Sequence, residues 1–146
     1  DEEDSGFKIL FDYISGTNES ATDVAMTIPV VQSVDINMTV PVTQINTDGK
    51  MVMQFFLPKK YNKETAPRPK DSRIVIIDLP TTHYGVITYS GFASEENFQK
   101  HHKKLKNELD ASSIIVSGPP IKATYNSPFT LPFLRRNEAM YPLNWD

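Results

Sequence analysis

Phe7, Leu10, Phe11 and Ile14 recur at i, i+3, i+4 and i+7, a spacing that predicts a short helix with one apolar face. The acids from Asp1 to Asp4 suit the positive end of its dipole, and Gly16, followed by Thr17 and Asn18, predicts its end. Beyond a polar loop, Val24 to Val34 and Asn37 to Ile45 are both rich in strand formers. Asp48-Gly49 predicts a hairpin turn, with Lys50 to Leu57 as the return strand. Pro58 to Pro69, rich in lysine and proline, reads as a surface loop. Ile74-Val75-Ile76-Ile77, within Arg73 to Leu79, predicts a strand buried on both faces, and Tyr84 to Tyr89 alternates as a strand does. Ser94, ahead of Glu95 and Glu96, predicts the N-cap of a second helix. Phe98, Leu105, Leu109 and either His101 or His102 form its inner face, and Lys100, Lys103, Lys104 and Lys106 its solvated one. Gly118-Pro119-Pro120 breaks the chain before a strand at Ile121 to Tyr125. Pro128 to Pro132 is an apolar loop, and Arg136 to Tyr141 the last strand. Helix, strands, helix, strands is the order of an α+β fold with a mostly antiparallel sheet.

One phrase recurs inside this pattern: Met26-Thr27-Ile28-Pro29-Val30 and Met38-Thr39-Val40-Pro41-Val42. Proline cannot donate to a ladder, so a strand carrying it is expected at an edge, a bulge or a rim. A chain of 146 residues is expected to form one domain over 1–146. Fifteen basic against eighteen acidic residues, with a net charge of −3 and no basic stripe, argue against a nucleic-acid partner. No apolar run approaches the length of a transmembrane segment, which predicts a soluble protein and leaves cytoplasmic and secreted locations both open. The absence of cysteine excludes disulfides, thiolate nucleophiles, zinc fingers and cysteine-ligated haem. Two N-glycosylation tripeptides, Asn18-Glu19-Ser20 and Asn37-Met38-Thr39, are of a kind that arises by chance at this content of Asn, Ser and Thr.

Candidate chemistry is sparse. His83 falls in a turn, and His101 and His102 are adjacent on a helix and point about 100° apart. Surface histidine is the commoner case, and no metal ligand is predicted. Met26, Met38, Met51 and Met53 are expected in the core. No nucleophile elbow, HExxH or phosphate loop occurs, so no catalytic residue is predicted. Glu138, beside Arg135 and Arg136, reads as a structural ion pair anchoring the last strand. Phe129, Leu131, Phe133 and Leu134 lie in a proline-broken loop that must pack on the first helix, a ligand or another protein.

Four separated blocks resemble the SOUL / haem-binding-protein family: Phe11-Asp12-Tyr13-Ile14-Ser15-Gly16-Thr17-Asn18, the repeated MT-x-PV phrase, Gly91-Phe92-Ala93-Ser94 opening a helix, and Thr124-Tyr125-Asn126-Ser127-Pro128-Phe129 followed by Arg135-Arg136-Asn137-Glu138. The resemblance implies a distorted antiparallel β-barrel flanked by two helices and built from two similar halves. The family has a further strand before its first helix, and a chain starting after it would expose a sheet edge, inviting an oligomer or a separate N-terminal fragment. The resemblance further implies a haem, porphyrin or bilin held without covalent attachment, for carriage, buffering or pigmentation. Its contacts would be Phe7, Leu10, Phe11, Ile14, Phe129 and Phe133, with Arg135, Arg136 or Lys8 toward propionates. Distant GyrI-like relatives include small-molecule hydrolases that use a buried Glu with aromatic residues, which makes such an enzyme, with Glu138 and Tyr13, Tyr125 or Trp145 in that part, the alternative, beside a protein-interaction module. One fold hosts several functions.

Overall fold

In a computed structural model, the structure describes residues 2–20, 35–39, 41–126 and 129–145. Two helices, α1 (Glu2–Ile14) and α2 (Glu95–Ala111), accompany seven strands: β1 (Asn18–Glu19), β2 (Val42–Thr47), β3 (Lys50–Phe55), β4 (Arg68–Pro69), β5 (Tyr84–Tyr89), β6 (Ile121–Thr124) and β7 (Asn137–Pro142). A single 3₁₀ turn covers Pro132–Leu134. The class is α+β with antiparallel pairing, as the element order predicts. The expected strand at 24–34, Met26 and the first copy of the repeated phrase lie outside the described residues. The chain divides into two compact units, one of residues 1–39 and 55–80, the other of 40–54 and 81–146.

The first unit is built on α1. Its C-terminus closes as Gly16 turns into positive φ (115°), Thr17 N–H donates to Asp12 O and Gly16 N–H to Tyr13 O. Asn18, fully buried, adds a side-chain bond from Nδ2 to Tyr13 O at 2.7 Å. The first glycosylation tripeptide therefore holds its asparagine inside the fold. Tyr13 and Ile14 are buried with Ile36, and Phe55, Leu57, Tyr61, Ile74 and Ile76 pack around them. The buried side of α1 is thus centred on Tyr13 and Ile14, whereas Phe7 and Phe11 stay 39% and 45% exposed.

Three expectations for this unit are corrected. The 58–69 stretch is not wholly a surface loop, because Ala66 and Pro67 are buried. The cause is Tyr13, whose hydroxyl needs an acceptor once inside and takes Pro67 O at 2.6 Å. Residues 73–79 form no strand among the described residues. Ile74 and Ile76 turn inward while Val75 and Ile77 are 73% and 55% exposed, so the run is covered on one side only. Met38 is exposed rather than core.

The second unit holds a five-stranded sheet in the order β3-β2-β6-β7-β5. The strand expected at 37–45 begins only at Val42, directly after Pro41. Proline is tolerated there and not within a ladder, so β2 runs inside the sheet and not at its edge. Asp48 (φ 52°) and Gly49 (φ 77°) both take the positive φ of a type I′ turn, joining β2 to β3. β3 and β5 are the outer strands, and no closed ring of strands occurs among the described residues.

Ser94 caps α2, its Oγ accepting from Asn97 N–H at 3.2 Å. The helix buries Phe98, His102, Leu105 and Leu109, which selects His102 over His101 as the inward histidine. Phe98 packs on Tyr89 and Ala139, and Leu105 and Leu109 on Tyr141. At the far end Ile114 N–H reaches Leu109 O and Ser113 sits at φ 58°, a position that favours glycine.

Phe98→Ala is expected to cost about 3–5 kcal/mol in urea unfolding, and Ser113→Gly to add about 1 kcal/mol. Tyr13 and Tyr89 both have phenol pKa values pushed up to about 12, first by burial and then by Tyr61 and Glu95 respectively. Below the unfolded value near 10 the native state keeps this stability in full, and it loses it as pH rises through about 12. Circular dichroism is expected to show alkaline destabilisation in that window, smaller in Tyr61→Phe, which removes the second cause of the Tyr13 shift.

Candidate functional site

Four groups of side chains carry the chemistry, and each lies within one unit. On α1 the Phe7 and Phe11 rings stack at 6.0 Å between centroids, 15° from parallel, and Phe7 also meets the edge of Phe55 at 5.4 Å. Leu10 beside them is half-buried, and Ile14 turns into the core with Tyr13. The helical spacing that puts Phe7 and Phe11 one turn apart therefore yields a partly exposed aromatic face with an apolar backing.

A polar groove of about 220 Å³ runs beside the same helix, lined by Lys8, Ile9, Asp12, Asp71, Arg73 and Ile74 among others. Lys8 Nζ pairs with Asp12 at 2.6 Å, and Arg73 forks onto Asp71 at 2.7 and 3.0 Å. The Arg73 hydrogen bonds hold the Asp71 carboxyl down at about 2. Each cation here faces an acid, so the groove is balanced in charge.

In the second unit the loop before β7 exposes Phe129 (95%), Leu131, Phe133 (72%) and Leu134. Its shape is fixed by backbone bonds. Arg135 Nε donates to Thr130 O at 2.8 Å, and Gly91 N–H donates to Pro132 O at 2.8 Å. Buried Asn137 then donates from Nδ2 to Gly91 O at 2.9 Å. These bonds tie the turn that opens α2 to the loop that carries the aromatics, and Phe92 adds a further exposed ring on that turn.

Glu138 is 5% exposed, and both oxygens are engaged. Arg136 Nη2 reaches Oε1 at 2.5 Å, and the Tyr125 hydroxyl donates to Oε2 at 2.7 Å. The Arg136 guanidinium also lies over the Tyr125 ring, 4.3 Å from its centroid. Burial, followed by the hydrogen bond to Glu138, pushes the Tyr125 phenol up to about 12. This arrangement matches the structural ion pair expected from sequence, with Arg136 as the partner. Arg135 turns instead to the loop. Glu138 lines neither the polar groove beside α1 nor the cavity between α2 and strands β2, β3 and β6.

His101 and His102 are engaged within the fold, whereas His83 is exposed. His101 stacks on Tyr89 with centroids 4.0 Å apart, and His83 lies 6.1 Å from Trp145. His102 uses both ring nitrogens, Nδ1 toward the Tyr141 hydroxyl at 2.8 Å and Nε2 toward Gln99 Oε1 at 2.9 Å. No group of three or more His, Asp or Glu suited to a metal ion occurs among the described residues. Met51 and Met53 are half-buried on one face of β3.

Of the seven expected ligand contacts, Phe7, Leu10, Phe11 and Ile14 thus belong to the first unit, and Phe129, Phe133 and Arg135 to the second. Sequence reasoning missed a cavity of about 300 Å³ between α2 and strands β2, β3 and β6, and with it one of its lining residues, Lys122. Its signal was a lysine between two apolar residues on a strand, which reads as an outward position. No helix among the described residues is long and apolar enough to cross a membrane.

Comparison with known proteins gives this geometry a context. The chain is 27% identical over 138 residues to heme-binding protein 2 of Mus musculus, covering 94% of this chain and 63% of that protein. It is 24% identical over 130 residues to heme-binding protein 1 of Mus musculus, covering 89% and 65%. Against heme-binding protein 1 of Xenopus laevis it is 26% identical over 135 residues. The chain therefore spans less than two thirds of the length of the two mouse proteins. The profile of the SOUL heme-binding protein family runs over residues 1–142, nearly the whole chain, and the protein belongs to that family.

Proposed function

We propose that this chain, as a single SOUL-like domain over 1–146, binds a tetrapyrrole reversibly and without a covalent bond, for carriage, buffering or pigment display. Haem, a porphyrin or a bilin are the ligands in view. The observation that carries the reading is the set of large aromatic side chains left in water by an otherwise ordinary fold. Phe7 and Phe11 stack with faces partly open, and Phe129 and Phe133 are more exposed still. Isolated apolar residues on a surface need no explanation, but grouped aromatics suit a flat apolar ligand. Family membership and the names of the relatives support the same chemistry.

The residues present fit the flat face of a macrocycle. Phe7, Leu10 and Phe11 offer one apolar surface with Ile14 behind it, and Phe129 and Phe133 offer another. Arg135 is the cation for a carboxylate in the loop, and Lys8 the one on α1. Burying one macrocycle face against several such side chains supports micromolar affinity, about −8 kcal/mol, with no bond to the iron. The role is binding rather than catalysis, and Glu138, held by Arg136 and Tyr125, serves as the anchor of β7. The distorted barrel of two similar halves belongs to this proposal. Its support is that each unit carries one helix and antiparallel strands.

An absorbance titration with haemin and with biliverdin tests the reading. A saturable shift at one ligand per chain is expected, and Phe11→Ala and Phe133→Ala are each expected to weaken it by about tenfold, the loss of one buried ring face. Both side chains are substantially exposed, so the variants are expected to fold as wild type does. The reading is wrong if neither pigment gives a saturable shift, or if the shift ignores both substitutions.

A further inference from the structure

The 129–134 loop does not carry all the aromatic surface of the second unit. Phe92, in the turn between β5 and α2, is 62% exposed. Strand β5 ends at Tyr89 and the buried face of α2 begins at Phe98, so Phe92 serves neither the sheet nor the inner side of the helix. Its neighbours along the chain, Gly91 and Ala93, are small and leave the ring unshielded from either side. Apolar area held in water is favourable to cover, and an aromatic ring covers best against a flat apolar partner.

The backbone around Phe92 is held firmly. Gly91 takes a φ of 96°, a conformation that favours glycine, and hydrogen bonds engage it at both ends. Its N–H donates to Pro132 O at 2.8 Å, and its O accepts from Nδ2 of buried Asn137 at 2.9 Å. The carbonyl of Phe92 itself accepts from Asn97 Nδ2 at 3.0 Å, and Asn97 N–H is taken by the Ser94 cap. A ring on a turn tied this way needs little further ordering when a ligand arrives.

The same bonds join that turn to the late loop. Pro132 O accepts from Gly91 N–H and also from Arg135 N–H, at 2.8 and 3.2 Å, and one carbonyl has lone pairs for both. It is the junction of the two segments. Phe92 follows Gly91 and Phe133 follows Pro132, so the two exposed rings stand one residue beyond opposite ends of a single hydrogen bond. Turn and loop therefore present their aromatics from one bonded framework.

We infer that Phe92 is a further tetrapyrrole contact, meeting the macrocycle beside Phe133. The inference rests on the tetrapyrrole reading above and extends that surface from the 129–134 loop to the start of α2. It makes the aromatic ring at position 92 a determinant of affinity.

Zinc protoporphyrin is the probe, titrated by absorbance into wild type, Phe92→Ala, Phe92→Tyr and Phe133→Ala. Nuclear Overhauser contacts from the porphyrin meso protons to the Phe92 ring are read on the wild-type protein. Residue 92 is exposed, so its variants are expected to fold as wild type does. Phe92→Ala is expected to weaken binding by about fivefold or more, and Phe92→Tyr, which keeps the ring, to stay within about twofold of wild type. Contacts from the meso protons to Phe92 are expected. Three results would each overturn the inference and leave the tetrapyrrole reading standing, provided that Phe133→Ala weakens binding: Phe92→Ala matching wild type, Phe92→Tyr losing as much as Phe92→Ala, or no contact to the Phe92 ring. No saturable binding to wild type would overturn that reading, and the inference with it.

Discussion

Strand β7 is buried on both faces, and the second unit is arranged around that burial. It pairs with β5 along one edge from Asn137 to Pro142, and with β6 along the other from Asn137 to Met140. Ala139, with no exposure, lets the Phe98 ring lie against the sheet, and Tyr141 receives Leu105 and Leu109. The same strand carries two polar side chains inward, and their needs shape what surrounds them. Glu138 requires Arg136 and Tyr125, and Asn137 reaches Gly91 O. Pairing the buried Glu138 carboxylate and the Nδ2 of the buried Asn137 at the start of β7 therefore positions both the loop before it and the turn that begins α2.

Much of this was legible in the chain. The Ser94 cap, the apolar period of α2 and the Asp48-Gly49 turn are local signals, and local geometry answered them. The runs that misled did so because tertiary context overrode pattern. Ile74-Val75-Ile76-Ile77 is apolar throughout, yet only alternate residues found cover, and composition alone cannot say how many sides of a strand-like run are occupied. Pro67 went inward because the Tyr13 hydroxyl, placed inside by the helix, needed a carbonyl. The proline of the second MT-x-PV copy marked the start of an interior strand rather than an edge, since a residue just outside a ladder meets none of its restrictions.

The candidate site was legible in a different way. The exposed aromatics on α1 and in the 129–134 loop are visible as residues too large and too apolar for the positions they hold. Their exposure required coordinates, because the period of α1 suits burial of Phe7 and Phe11 as well as display of them. The cavity under α2 was not legible at all. Lys122 reads as an outward residue of a half-buried strand, yet the fold leaves it only 6% exposed.

The two surfaces differ in physics. The exposed aromatics on α1 and in the 129–134 loop are open to water and suit a flat ligand held by dispersion and hydrophobic area; the cavity beside α2 has a mixed polar and apolar lining. The central claim is that a tetrapyrrole lies on the first kind of surface. Ring-current shifts decide this most directly, recorded for assigned aromatic side chains as diamagnetic zinc protoporphyrin is added. The account predicts the largest shifts at Phe7, Phe11, Phe129 and Phe133, with Phe98 and His102 unmoved. Shifts centred on Phe98 and His102, or none at the four exposed rings, would contradict it.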